Sequence, residues 1–155
     1  MGGASLPCNK GLAPLIGNAV QRFIDAQDRV YQRVCSELRN GRKETHWMWF
    51  VFPQLRGLGQ STISKHFGIE SAQEAQQYIR HPVLRERLVE CTGLVLAHRD
   101  RTLHQIFGSP DDLKFRSCMT LFQWVASEEI CFNEALVRFC NGEPDAATSQ
   151  LLGMQ

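Results

Sequence analysis

An aromatic segment from His46 to Gln54 is the first place where this sequence could do chemistry. Two tryptophans, two phenylalanines and one histidine fall within seven residues. Trp47, Trp49 and Phe50 could form the flat walls of a ligand pocket, and His46 and Gln54 could supply the polar groups that orient a ligand. The alternative interpretation is a core plug between helices, because aromatic clusters are usually structural. The two interpretations are compatible, since a core plug can present one edge to a cleft.

A second segment, from Asp111 to Ser117, places acids and bases at the expected start of a helix. The functional interpretation is a set of ligand contacts beside a helix N-terminus, a place that favours anions; the candidates are Asp112, Lys114, Arg116 and Ser117. The structural interpretation is two surface ion pairs, Asp111 with Lys114 and Asp112 with Arg116, each contributing well under about 1 kcal/mol. Acids in the first helical turn also disfavour an anion there.

The cysteines and the remaining histidines predict neither a metal site nor a cofactor site. None of the six cysteines forms a C-x-x-C pair, and His98 and His104 are six residues apart, which is not a metal-ligand spacing on one helix face. Cys118 could act as a nucleophile only with a base nearby in space, so an inert buried thiol is the expected state. We therefore predict no metal and no cofactor, and the sequence leaves open whether the protein is an enzyme.

Composition and charge narrow the function classes further. The 155 residues carry 17 basic and 16 acidic side chains, for a net charge of +1, whereas nucleic-acid binders usually carry a large basic excess. There is no P-loop, dinucleotide fingerprint, H-E-x-x-H or G-x-S-x-G motif. No secretory signal peptide and no run of eighteen apolar residues is found. We expect a soluble cytoplasmic protein with reduced thiols and no membrane partner, and nucleic acid is the least favoured partner.

Apolar periodicity predicts the elements that must position these residues. We expect a flexible tail over residues 1–17 and one helical domain over residues 18–155, in which a first long helix spans Ala19 to Arg39. Further helix starts are expected at Ser61, at the capping-box sequence from Ser71, at Pro82, near Thr102, at Ser109-Pro110 and near Glu128. Strand patterns are nearly absent. The predicted class is all-α: a single compact orthogonal helical domain of about six to eight helices, several of them short.

Three stretches together resemble a known family, the domain of unknown function 1810. They are His46–Gln54 followed by Gly57-Leu58-Gly59, Tyr78–Leu84, and Ile106–Phe122. The resemblance runs from about Ala19 to Leu152 and implies a small, mostly helical, cytoplasmic protein of a mainly bacterial family. The family has no established activity, so the resemblance implies no catalytic residue. Some members carry the name calpastatin-like, but calpastatin inhibits proteases as a disordered chain, and a compact helical domain gives that name no physical support.

Two hypotheses of different classes follow. The first is binding of a small anionic or planar metabolite in a pocket walled by the aromatic segment and the Asp111–Ser117 helix start, which requires the two segments to converge on one cleft. The alternative is a protein–protein interaction module without catalytic activity, which requires an exposed apolar patch. A third, nucleic-acid stacking on the aromatics beside Arg42 and Lys43, fits the near-zero net charge poorly.

Overall fold

The computed structural model describes residues 19–153, and within this range the protein is all-α, as predicted. Ten helical segments are present in the described range, more than the six to eight expected: α1 (residues 19–28), α2 (Tyr31–Arg39), α3 (Met48–Val51), α4 (Thr62–Phe67), α5 (Ala72–Arg80), α6 (Pro82–Leu96), α7 (Leu103–Phe107), α8 (Asp111–Val125), α9 (Ile130–Cys140) and α10 (Ala146–Leu152). The predicted tail, residues 1–17, lies outside the described residues.

The prediction of one continuous helix from Ala19 to Arg39 was wrong, because the chain turns at residues 29–30. Val30 leaves the helical region with φ −133° and ψ 1°. Just before the turn, the buried Gln27 donates to the carbonyl oxygen of Phe50 at 2.7 Å and to the hydroxyl of Tyr78 at 3.0 Å. These tertiary contacts, and the packing of α2 on α6, override the helical periodicity.

Most of the predicted helix starts are confirmed by their caps. The side chains of Ser61, Ser71 and Thr102 each accept from the backbone N–H three residues on, and His81 accepts from Val83 N–H ahead of the proline that opens α6. The start of α8 differs from the prediction: the helix begins at Asp111, and Pro110 rather than Ser109 precedes it without a side-chain cap. These caps fix where each short helix begins.

The core is centred on α8, which packs against α5, α7, α9 and α10. Phe115, Cys118, Met119, Leu121 and Phe122 of this helix are fully buried. An apolar helix face of this length stabilises the fold mainly by removing hydrocarbon from water. The N-terminal end of α8 lies beside the aromatic segment, with Lys114 over the ring of Trp49.

The cysteines of the described residues are free thiols, three of them buried and two half-buried: Cys35, Cys91, Cys118, Cys131 and Cys140. This agrees with the expectation of reduced thiols in apolar helical surroundings. None of the helices between residues 19 and 153 combines the length and hydropathy needed to cross a bilayer.

Candidate functional site

Trp49, Gln54 and Lys114 line one narrow cleft, in which the space open to a water-sized sphere is about 10 Å³. Two of these side chains come from the aromatic segment and one from the start of α8, so the two segments do converge. The remaining lining residues are Met48, Phe52, Ser64, Phe67 and Gly68. We call this set of eight residues the tryptophan cleft.

A short backbone pairing brings α4 beside α3 and so closes the cleft. Ile69 N–H donates to the carbonyl of Gln54 at 2.9 Å, and Arg56 N–H donates to the carbonyl of Ile69 at 2.7 Å, which makes a single parallel bridge between Leu55 and Ile69. At Gly68 a Cβ would lie 2.8 Å from the Cα of Arg56, so only glycine fits this crossing. The crossing places Ser64 and Phe67 of α4 opposite Trp49.

The cleft carries positive charge next to an aromatic face. The ammonium of Lys114 lies 4.9 Å from the centroid of the Trp49 ring, a cation–π geometry. Lys114 is also 3.3 Å from a carboxylate oxygen of Asp111, whose other oxygen is 2.9 Å from the ammonium of Lys43. One carboxylate thus contacts both lysines.

Trp47 lies in the core rather than in the cleft. It is fully buried, and its indole N–H donates to Glu37 at 2.9 Å, while Lys43 lies over its ring at 5.3 Å. Glu37 also accepts from the backbone N–H of Glu44 at 2.7 Å and from the N–H and hydroxyl of Thr45 at 3.0 and 2.6 Å. Burial alone would raise the pKa of Glu37, but these hydrogen bonds outweigh it and lower the pKa to about 2.

The other predicted site residues lie elsewhere and contact their own surroundings. His46 is exposed and is not among the residues that line the cleft. Asp112 and Arg116 do not pair with each other, because Asp112 faces the ring of His104 at 3.4 Å and Arg116 donates to the carbonyl of Glu143 at 3.0 Å. Ser117 is buried, and its hydroxyl donates to the carbonyl four residues earlier in its own helix.

Five residues of the cleft were not predicted from the sequence: Met48, Phe52, Ser64, Phe67 and Gly68. Met48 and Phe52 lie inside the aromatic segment, so the segment itself was a signal for them. Ser64, Phe67 and Gly68 lie at the cleft because the bridge between Leu55 and Ile69 brings α4 there. No local sequence pattern predicts that bridge. The usable signal for them was the glycines on either side of α4, since glycine often marks a close approach; a Cβ would lie 2.6 Å from the Ser64 hydroxyl at Gly59 and 2.8 Å from the Arg56 Cα at Gly68.

The polar groups of the cleft lining could hold a ligand, and its one hydroxyl has no base beside it in the part of the chain that the structure describes. It offers an ammonium from Lys114, an amide from Gln54, a hydroxyl from Ser64 and the flat face of an indole. The hydroxyl of Ser64 accepts from Ser61 at 2.8 Å and has no histidine or carboxylate partner among the described hydrogen bonds. Between residues 19 and 153, no cluster of three or more His, Cys, Asp or Glu side chains could hold a metal ion.

Comparison with known proteins assigns the chain to a family. The sequence matches the family described as "Protein of unknown function (DUF1810)" over residues 17–152. A similar solved structure is that of the conserved hypothetical protein Rv1873 from Mycobacterium tuberculosis, with 48% identity and a TM-score of 0.85, over 88% of this chain and 97% of that one. No curated protein shows significant similarity. The chain belongs to the DUF1810 family of proteins of unknown function.

Proposed function

We propose that the tryptophan cleft binds a small planar anion, such as an aromatic carboxylate or a ring that carries a phosphate. The observation that carries the proposal is the placement of the Lys114 ammonium over the Trp49 ring, inside a cleft whose other polar groups are Gln54 and Ser64. An indole face attracts a planar ring, and an ammonium beside it fixes the anionic substituent. The open space within the cleft is about 10 Å³, room for about one water, so a single ring can stack on Trp49 only after the lining side chains move apart.

The charge around the cleft supports an anionic rather than a cationic ligand. Beside the two lysines that share Asp111, α4 contributes Lys65 and His66 to a wider depression that Arg56 also lines. No carboxylate lines either the cleft or this depression. Clustered positive charge at a concave surface raises the local concentration of anions and speeds their association.

A protein-interaction module is the second candidate, and exposed apolar side chains on α8 and α9 favour it. Trp124 is 50% exposed, Ile130 is 74% exposed and Val137 is 56% exposed. Exposed tryptophan is a frequent anchor residue at protein interfaces. The two candidates concern different parts of the molecule, so one experiment can separate them.

A thermal-shift screen with a matched pair of tryptophan variants tests the proposal. The panel contains nicotinate, indole carboxylates, nucleoside monophosphates, sugar phosphates and amino acids. A ligand at a hundred times its dissociation constant adds about 2.7 kcal/mol of apparent stability, which is readily visible as a rise in Tm. We expect a planar anion to stabilise the wild type.

The variants assign any such shift to the cleft. Trp49→Phe and Lys114→Gln should reduce the shift, whereas Trp124→Phe, which changes a half-exposed tryptophan on α8, should keep it. A shift that Trp124→Phe removes and Trp49→Phe leaves intact would place the ligand elsewhere. An absence of any shift across the panel would favour the interaction module.

A further inference from the structure

The loop at residues 57–60, between α3 and α4, separates the tryptophan cleft from the wider depression at the surface. Gly59 lies against the cleft lining: a Cβ on it would be 2.6 Å from the Ser64 hydroxyl and 3.9 Å from the side-chain nitrogen of Gln54. Gly59 also lines the depression. The space open to a water-sized sphere is about 590 Å³ in the depression and about 10 Å³ in the cleft. The loop is therefore the wall between an open space and a nearly closed one.

We propose that residues 57–60 form a lid on the tryptophan cleft, and that an anionic ligand enters past this lid from the depression. The identity of the ligand as an anion rests on the proposed function, whereas the lid does not. A single ring cannot stack on Trp49 in the space now open, so part of the lining has to move. A lid that opens and closes lets a ligand in and then excludes water around it.

Few contacts hold the loop in its closed position. Within residues 19–153, residues 57–60 make no hydrogen bond and no ion pair. Leu58 is their one anchor, a half-buried side chain that packs against the core. Gly57 has φ +102°, a conformation that favours glycine, and no atom lies within 4 Å of the position of its Cβ. A segment with so few contacts opens at a low cost in free energy, and Gly57 can act as its hinge.

The other side of the contact is fixed, because α4 is capped and anchored. The backbone N–H of Ser64 donates to the hydroxyl of Ser61 at 3.1 Å, and that hydroxyl donates to the Ser64 hydroxyl at 2.8 Å. Phe67, at the end of α4, packs against Phe23 and Phe50 with ring centroids 5.9 and 5.2 Å apart. When the loop and α4 separate, the loop is therefore the part that moves.

The charge of the depression favours an anion on this path. Arg56 and Lys65 line it, and neither forms an ion pair with a carboxylate between residues 19 and 153. The guanidinium of Arg56 lies 3.4 Å from the carbonyl oxygen of Gly68, a residue of the cleft lining. Arg56 thus reaches from the depression to the edge of the cleft, and a guanidinium there attracts a carboxylate or a phosphate.

Quenching of Trp49 fluorescence by acrylamide, a neutral quencher, tests the lid without a ligand. All variants are made in the Trp124→Phe protein, in which Trp47 is fully buried and Trp49 reports on the cleft. Gly59→Ala places a methyl group in the contact with α4, so the loop should be displaced and acrylamide quenching should rise. Gly93→Ala, a matched change at a helix glycine with open space around it, should leave the quenching unchanged.

Leu58→Ala opens the lid in an independent way, because it removes the apolar anchor and adds no clash. Acrylamide quenching should rise in this variant as well. It should stay low when Trp49 is also replaced by phenylalanine, since only the buried Trp47 then remains. Unchanged quenching in both Gly59→Ala and Leu58→Ala would overturn the lid, as would an equal rise in the proteins that keep only Trp47.

Iodide tests the path of entry, because it is an anion. In the Gly59→Ala protein, Arg56→Gln should lower the quenching by iodide and leave the quenching by acrylamide unchanged. Arg80→Gln, which removes the same charge from another surface depression, should change neither. Equal losses of iodide quenching from the two arginine variants would overturn the entry path. A ligand screen without a shift would overturn the proposed function alone, since the quenching measurements need no ligand.

Discussion

Trp47 and Trp49 are two residues apart and each has a lysine ammonium over its ring, yet they belong to different parts of the molecule. Trp47 is fully buried, hydrogen-bonded to Glu37 and covered by Lys43. Trp49 is partly exposed, lines the tryptophan cleft and is covered by Lys114. Asp111 joins the two, because its carboxylate contacts both lysines.

The two sites differ in where the polar groups around each tryptophan lie. The Trp47 site uses every polar group internally: the indole N–H, the Glu37 carboxylate and the Lys43 ammonium all have partners within the fold. At the Trp49 site the Lys114 ammonium and the Ser64 hydroxyl also have partners, Asp111 and Ser61, but together with the amide of Gln54 they line a cleft. The first arrangement stabilises the fold, and the second is where we propose that a ligand binds.

The largest expected effect is the loss of stability when Trp47 is replaced, compared with the loss when Trp49 is replaced. Trp47→Ala should lower the free energy of unfolding by about 3–5 kcal/mol, because it removes a fully buried aromatic side chain and leaves a cavity. Trp49→Ala should cost less than half as much, since its ring is already partly in water. Urea denaturation of both variants measures the difference, and equal losses would contradict the division between core and cleft.

The second-largest loss of stability is expected on replacing Lys43, the lysine over the buried tryptophan. Lys43→Ala should cost about 3 kcal/mol, because Lys43 is nearly buried and its loss leaves the Asp111 carboxylate without its closer partner. This value is the low end of the range for breaking a buried ion pair, because Lys114 still contacts the Asp111 carboxylate. Chemical denaturation at neutral pH checks the value, and a loss no larger than that of Lys114→Ala would show that the pair is not buried in solution.

Glu37 should make the stability of the Trp47 region depend on pH. Glu37→Gln should cost about 2 kcal/mol at neutral pH, because an ionised acceptor of four hydrogen bonds is lost. The pKa of Glu37 falls from its ordinary value of 4.5 to about 2 on folding, so the contribution of its charge is complete above pH 4.5 and disappears as the pH falls towards 2. Unfolding curves of wild type and variant should therefore converge in acid, and a constant gap would contradict the assignment.

The smallest expected effect on stability is at the cleft. Lys114→Ala should change the free energy of unfolding by less than about 1 kcal/mol, because its ammonium is a partly exposed ion pair. The same variant should lose the ligand-induced rise in Tm. A large destabilisation by Lys114→Ala would make Lys114 a structural residue and weaken the binding proposal.

Local patterns in the sequence predicted the elements better than they predicted the cleft. Helix starts at Ser61, Ser71 and Thr102 follow from capping chemistry within three or four residues, and the structure contains them. From the sequence alone, convergence of the aromatic segment with Lys114 was a requirement of the binding hypothesis and could not be predicted, because it joins residues that are more than fifty positions apart. The break after Gln27 was missed for a similar reason, since Gln27 is held by hydrogen bonds to Phe50 and Tyr78, which lie 23 and 51 residues further along the chain.

The aromatic segment also shows why residue type did not separate core from cleft. Trp47 and Trp49 are the same amino acid in nearly the same local sequence, and only the tertiary partners differ: Glu37 for one, Lys114 and α4 for the other. Both interpretations of the segment, core plug and pocket wall, therefore describe part of it. The predicted ligand contacts at His46, Asp112, Arg116 and Ser117 remain predictions, and the structure places them away from the cleft lining.

Fluorescence quenching by ions tests the central contrast most directly, and it needs no identified ligand. The measurement compares Trp124→Phe, which keeps both tryptophans of the aromatic segment, with Trp49→Phe/Trp124→Phe, which keeps only Trp47 of the two. Iodide should quench the first variant and should do so more strongly than caesium, because Trp49 is accessible and lies beside a cation; neither ion should quench the second. Equal quenching of the two variants, or stronger quenching by caesium than by iodide, would contradict an accessible, positively charged cleft at Trp49.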